Sequence, residues 1–189
     1  MSHTPKKNRD AEATANRIIS AAQHIFHEKG YDASTTREIA VRADVNINLI
    51  HRYFGSKLGL FKEAVLPHLD LVPLLGGKKE EIAHRLAILY VDTGPKDEFD
   101  AFVVLTRSIT SPEVGPLLMA RIEERALKPL MNILEGSNKR ARATLIATQL
   151  AGLILRFRVM SNLYISKADQ NHLKQLLEEN LLALLLDNG

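Results

Sequence analysis

An all-α fold is predicted, and three observations predict it. Apolar residues recur at the i, i+3/i+4, i+7 spacing of amphipathic helices along most of the 189 residues, and strand-like alternation is almost absent. Glycine, proline and short polar clusters cut these periodic segments into helix-sized pieces. Between Thr35 and Lys57 the chain reads TTREIAVRADVNINLIHRYFGSK, which is two short helices joined by a tight turn and followed at once by the start of a third. The expected layout is a flexible basic arm at 1–12, a three-helix helix-turn-helix domain at 13–62, and a larger helical domain at 63–189.

The arm holds Pro5, Lys6, Lys7 and Arg9 and is too polar to pack. Such an arm either stays solvated or reaches the backbone or minor groove of DNA. From Ala13 to Lys29, Ile18, Ala22, Ile25 and Phe26 share one helical face, and Gly30 supplies the backbone freedom that ends the helix. Thr35 and Glu38 have the spacing of a capping box. The helix they start buries Ile39, Ala40 and Ala43. It is only about two turns long, so tertiary packing must hold it. Asn46 is a good N-cap for the next helix, Ile47 to Phe54. Ile50 and Phe54 lie four apart and face inward, which leaves Ile47, Asn48, His51, Arg52 and Tyr53 on or near the outer surface. Gly55 closes that helix, Ser56 caps the next, and Lys57 sits in its first turn. A cation there opposes the helix dipole, so local stability does not explain it. It is explained if the helix end meets an anion such as phosphate.

A short helix with polar and basic groups on its free face is how a protein enters the major groove of DNA. Charge agrees. Residues 1–62 hold ten Lys/Arg and six Asp/Glu, giving +4; the remainder holds 15 and 16, giving −1. The positive charge therefore lies where phosphates would be met.

The segment resembles the N-terminal DNA-binding domain of the TetR family of transcriptional regulators. Phe26…Gly30, Thr35-Thr36, Ile39-Ala40, Val45, Ile50 and Tyr53-Phe54-Gly55-Ser56-Lys57 all fall in that family's register, over residues 14–62. Asp44 stands where the family often has a turn glycine, Asn48 where a glycine is common, and His51 where tyrosine is frequent. The resemblance implies phosphate contacts from Thr36, His51, Tyr53 and Lys57, groups that all donate to phosphate oxygens. Base reading falls to Arg37, Asn48 and Arg52, with Ile47 against a thymine methyl and Asn46 at the start of the reading helix. The partner is double-stranded DNA and the expected function a sequence-specific regulator, most simply a repressor. The alternative is an effector-independent, nucleoid-type DNA-binding protein.

The remaining helices are expected at Lys57–Pro67, Lys79–Val91, Asp97–Thr110, Leu117–Leu134, Asn138–Ile165 and Asp169–Leu186. The fourth of these carries Pro129, which should kink it. In the Asp97–Thr110 helix Phe99, Phe102, Val103, Thr106 and Ile109 are read as inward. The last two helices suggest self-association. The first is rich in small residues around Ala147, Ala151 and Gly152, and the last has too many leucines for one buried stripe, Leu177, Leu181 and Leu184 among them. The resemblance implies a homodimer through these two helices and an unknown small-molecule effector bound in the larger domain. Candidates for the effector pocket are polar groups among apolar ones: His68, His84, Tyr90, Thr106, Arg107, Arg156 and Tyr164. Arg156 and Arg158 lie two apart and cannot share a helix face, so at most one looks into a cavity.

Other chemistry finds no support. There is no cysteine, which excludes disulfides, zinc–thiolate sites and thiol nucleophiles. His24 and His27 have no clear third metal ligand nearby, and no P-loop, dinucleotide fingerprint or nucleophile elbow is present. No enzyme activity, cofactor or metal is expected. The basic N-terminus has no apolar run behind it and the longest uncharged stretch, Ala143 to Leu155, is too short for a membrane span, so a cytoplasmic location without membrane contact is expected.

Overall fold

The structure, a computed structural model of the chain, describes residues 5–91, 99–160 and 165–187, with side chains from Asp10 onward. All regular structure among them is helical. The helices are α1 (Pro5–Lys29), α2 (Thr36–Ala43), α3 (Ile47–Phe54), α4 (Lys57–Val65), α5 (Lys79–Val91), α6 (Ala101–Ser108), α7 (Gly115–Ile122), α8 (Lys128–Ile133), α9 (Lys139–Ile154) and α10 (Lys167–Leu186). The chain divides into two compact units, Met1–His68 with Glu98–Pro116, and Leu69–Asp97 with Leu117–Gly189.

In the first unit, α1 packs on α2, α4 and α6. Its core is built from Ile18, Ala22, Phe26, Ile39, Ile50, Leu60, Phe61 and Val104, all essentially without solvent contact. Phe26, Tyr31 and Phe61 form an aromatic cluster with centroids 5.1 to 6.0 Å apart. Helix α1 starts eight residues before the expected position. Pro5 lacks only an N–H that would be unpaired anyway, and Ala11, Glu12, Ala13 and Ala15 are good helix formers. The basic stretch with Lys6, Lys7 and Arg9 is thus helical backbone, not a flexible arm; residues 1–4 lie outside the described residues. Helix α6, read from sequence as part of the larger domain, belongs to this first unit. Its buried stripe is Ala101, Val104 and Ser108, together with Val103, whereas Phe102, Thr106 and Ile109 are half-exposed. Asp97 lies outside the described residues.

In the second unit, α5 packs along α10 and also meets α9. Ile82, Leu86, Tyr90, Ile146, Leu150, Leu181 and Leu185 make its core. The irregularity foreseen at Pro129 is real but is displaced toward the N-terminus. A π-turn, Glu123–Leu127, precedes α8. Pro129 has no N–H for the Arg125 carbonyl, and that carbonyl instead accepts the Leu71 N–H at 3.0 Å. The helix expected at 138–165 is shorter: α9 gives way to a second π-turn, Leu155–Val159, where the Met160 N–H reaches back five residues to the Leu155 carbonyl.

Candidate nucleic-acid interface

Local chemistry fixes α2 and α3 in the first unit. The Glu38 N–H donates to Thr35 Oγ1 at 3.2 Å, and the Thr35 N–H donates to Glu38 Oε2 at 3.0 Å, the reciprocal capping box read from sequence. The Lys29 ammonium also binds Glu38. Lys29, then Thr35, hold the Glu38 carboxyl below its usual value. Asp44 ends α2 in the left-handed region, φ 51°, and its N–H bonds the Ala40 and Val41 carbonyls. Aspartate tolerates that conformation, so the missing glycine does not break the turn. The Asn48 N–H then donates to Asn46 Oδ1 at 2.9 Å, which caps α3. Ile50 anchors α3 from the inside with no exposure.

The opposite face of α3 is open. Arg37, Asn46, Ile47, Asn48, His51 and Arg52 are exposed; Thr36, Tyr53 and Lys57 are half-buried. Among the described residues, Arg37 and Arg52 have no hydrogen-bond or ion-pair partner, so their guanidinium forks are available for bidentate recognition. Asn46 has its carbonyl oxygen committed to the cap and keeps only its amide donors for another partner. His51 Nδ1 lies 3.3 Å from the Gly55 carbonyl oxygen and must carry a proton to bond there. Its Nε2 then donates to a phosphate only as an imidazolium.

Lys57 departs from the simple reading. Its Nζ donates to the Tyr31 and Ser34 carbonyls, each at 3.0 Å, and lies 4.0 Å from the centroid of the Tyr31 ring. An ammonium has three protons, and two are engaged within the chain. An external anion is therefore not needed to explain a cation in this first turn, although one proton remains for it. Sequence reading missed Tyr31 and Ser34 because they lie 26 and 23 residues away along the chain. It also missed Arg17 and Arg42, exposed cations on α1 and α2 that likewise have no partner among the described residues.

The effector candidates are spread over both units. In the first, His68 bonds Gln23 and meets the Phe99 ring edge-on, Thr106 donates to the Val103 carbonyl, and Arg107 binds the His27 and Glu28 carbonyls at the end of α1. In the second, His84 is exposed and paired with Glu178 at 2.9 Å, Tyr90 is buried, and Arg156 is half-buried against Phe157. Of the two neighbouring arginines, Arg158 rather than Arg156 is the buried one; it donates to the Leu89 carbonyl and lies over the Tyr90 ring. Tyr164 lies outside the described residues. His68, Thr106 and Arg107 thus have roles inside the first unit, and three of the sequence candidates do not share a unit with the other three.

The self-association face also needs correction. Leu177 and Leu181 are 7% and 0% exposed within one protomer, so they are core and not a surface for a partner. Ala147 and Leu184 are half-buried and Ala151 is exposed. Among the described residues Leu145, Leu155, Met160, Leu176 and Leu186 are each 45–49% exposed, and Leu176 lines a groove with Gln149, Gly152, Leu173 and Asn180.

Comparisons with known proteins place this architecture. A family model described as "Bacterial regulatory proteins, tetR family" matches residues 18–64, and one described as "Tetracyclin repressor-like, C-terminal domain" matches residues 80–185. The chain belongs to the TetR family of helix-turn-helix regulators. Among curated relatives it is 42% identical over 53 residues to the probable HTH-type transcriptional regulator YttP of Bacillus subtilis, covering 28% of this chain and 26% of that protein. It is 36% identical over 58 residues to the HTH-type transcriptional repressor BdcR of Escherichia coli, covering 30% and 29%. The chain thus matches less than a third of the length of these relatives. Solved structures share the fold over nearly the whole chain. NalD, the secondary repressor of the MexAB-OprM multidrug efflux pump in Pseudomonas aeruginosa, has a TM-score of 0.69 at 20% identity, covering 90% of this chain and 97% of its own. CifR, complexed with 26bp double-strand operator DNA, has 0.64 at 22%, covering 89% and 95%. No helix among the described residues is long and apolar enough to cross a membrane.

Proposed function

We propose that the protein is a sequence-specific DNA-binding repressor that acts as a homodimer and is released from a palindromic operator by a small-molecule effector. The observation that carries the reading is α3: a helix buried through Ile50 and capped by Asn46, whose outward Arg52, Asn48 and Ile47 stand free on the surface. Arg52 is suited to guanine and Asn48 to adenine in the major groove. Arg37 is a further base reader, and Thr36, Tyr53, Lys57 and His51 as its imidazolium surround them with phosphate donors. A structure of CifR with operator DNA, and the naming of BdcR as a repressor, support the reading by analogy.

The exposed leucines of α9 and α10 form the dimer face in this reading. A two-fold pairs each such surface with its own copy and presents two recognition helices to two half-sites. The effector binds the second unit and lowers DNA affinity by its differential affinity for two arrangements of the dimer. The test is selection of genomic fragments by the purified protein at near-physiological salt, followed by sequencing. An enriched palindrome is expected. Binding without enrichment that disappears as salt rises would replace the repressor reading with a nucleoid-type one.

A further inference from the structure

The loop between α1 and α2 joins Lys57 to the end of α6. On one side of the loop, the buried Tyr31 N–H donates to Ser108 Oγ at 3.0 Å. Ser111 Oγ donates to Asp32 Oδ1 at 2.7 Å, and the Arg107 guanidinium binds the Glu28 carbonyl at 2.6 Å and that of His27. Gly30, at φ +73°, lies so close that a Cβ there would sit 2.9 Å from the Arg107 carbonyl oxygen. On the other side, the carbonyls of Tyr31 and Ser34 and the Tyr31 ring hold the Lys57 ammonium. Ser34 Oγ braces the Tyr31 carbonyl at 2.6 Å. Ser108, Tyr31 and Ser34 are 1%, 1% and 2% exposed. One residue therefore has its N–H on α6 and its C=O on the lysine.

We propose that Ser108 and Tyr31 are positioning residues for DNA binding: the Ser108–Tyr31 hydrogen bond fixes the carbonyls that aim Lys57 at a phosphate. Two of the ammonium protons set the direction of the third, so a shift of the loop turns the free donor away. Without the Ser108 hydroxyl, the buried Tyr31 N–H must find another partner, and the loop moves to provide it. Displacing the end of α6 then weakens DNA binding although Ser108 lies outside the helix-turn-helix segment and touches no DNA. The inference rests on the reading of Lys57 as a phosphate contact.

A double-mutant cycle on the full chain tests it, with Ser108→Ala, Lys57→Ala and both, using the duplex enriched by the fragment selection. Binding is measured by fluorescence anisotropy over a range of salt, and the melting temperature of each variant is recorded. Ser108→Ala is expected to lower affinity about tenfold per half-site, the scale of one hydrogen bond to a charged group in each protomer. It should flatten the log–log salt slope by about 1.8, one phosphate contact of about 0.9 from each protomer of the dimer. Neither effect should remain in the Lys57→Ala background, and Ser108→Thr, which keeps the hydroxyl, should restore both. If Ser108→Ala does not fold, Ser111→Ala cuts the adjacent tie to Asp32 and should show the same non-additivity at smaller size. Additive losses, or a loss of affinity with an unchanged salt slope, would overturn the inference while leaving Lys57 a phosphate contact. A Lys57→Ala variant with wild-type affinity and slope would remove the phosphate reading itself, and this inference with it.

Discussion

The Lys57 ammonium is shared between the protein and the phosphate it is proposed to meet. Two carbonyls and the Tyr31 ring fix it from within the first unit, and one proton has no hydrogen-bond acceptor among the described residues. Lys57→Ala should therefore weaken binding to every sequence alike, with the salt slope reduced by about 1.8, about 0.9 for the contact of each protomer, as read from titrations on specific and random duplexes. A loss confined to one sequence would contradict that role. The sequence marks Lys57 as a cation in need of a partner, because a lysine in a helix's first turn has no local justification, and the chain itself supplies two carbonyls. The way it is held was not legible. The contacts with Tyr31 and Ser34 cross more than twenty residues of chain and leave no periodic or motif signal. Arg158 teaches the same lesson: sequence placed two arginines on different faces of a helix, but only the packing of α5 could decide which one is buried.

At the scale of elements, α2 and α3 were read nearly residue by residue, because caps are local chemistry. Thr35, Glu38, Asn46 and Ser56 all cap where the spacing predicts. Thr35→Ala should cost about 1 kcal/mol, seen in chemical denaturation, with no new cavity. The Glu38 carboxyl adds a pH dependence. Lys29, then Thr35, hold it below its usual value of 4.5. A group with a lowered folded-state pKa stabilises fully above the unfolded value, and that contribution fades as pH falls through the lowered value. The protection factors of the α2 amides, which remove the intrinsic pH dependence of exchange, should fall in acid, and Glu38→Gln should remove this part of the response. An unchanged acid response in Glu38→Gln would show that Glu38 is not its source. The leucine-rich α10 was read less well. Leucine count announces a surplus of apolar surface but not which leucines face inward. Leu181→Ala should destabilise the protomer by about 2–5 kcal/mol, as removal of a buried leucine does. Leu176→Arg, at a position 49% exposed, should leave the protomer folded and shift it to a monomer in sedimentation, with operator binding lost. A dimeric Leu176→Arg variant would place the dimer face elsewhere.

For the whole molecule, charge and motif set residues 13–62 apart, and these lie within the first compact unit. The membership of α6 was not visible in either. Its apolar spacing is ordinary; it is tied to the first unit by the buried Val104 and by Arg107, Ser108 and Ser111 bonded to α1 and the loop after it. The division has a functional consequence, because a helix beyond the motif belongs to the body that carries α3. This body is proposed to read sequence through α3. The most direct measurement is the base preference of wild-type and Arg52→Ala protein on a randomised duplex library, at one fixed salt concentration. Arg52→Ala should relax preference at one position in each half-site, a change of about 1–3 kcal/mol there, and leave the other positions intact. An even loss across all positions, matching that of Lys57→Ala, would contradict it.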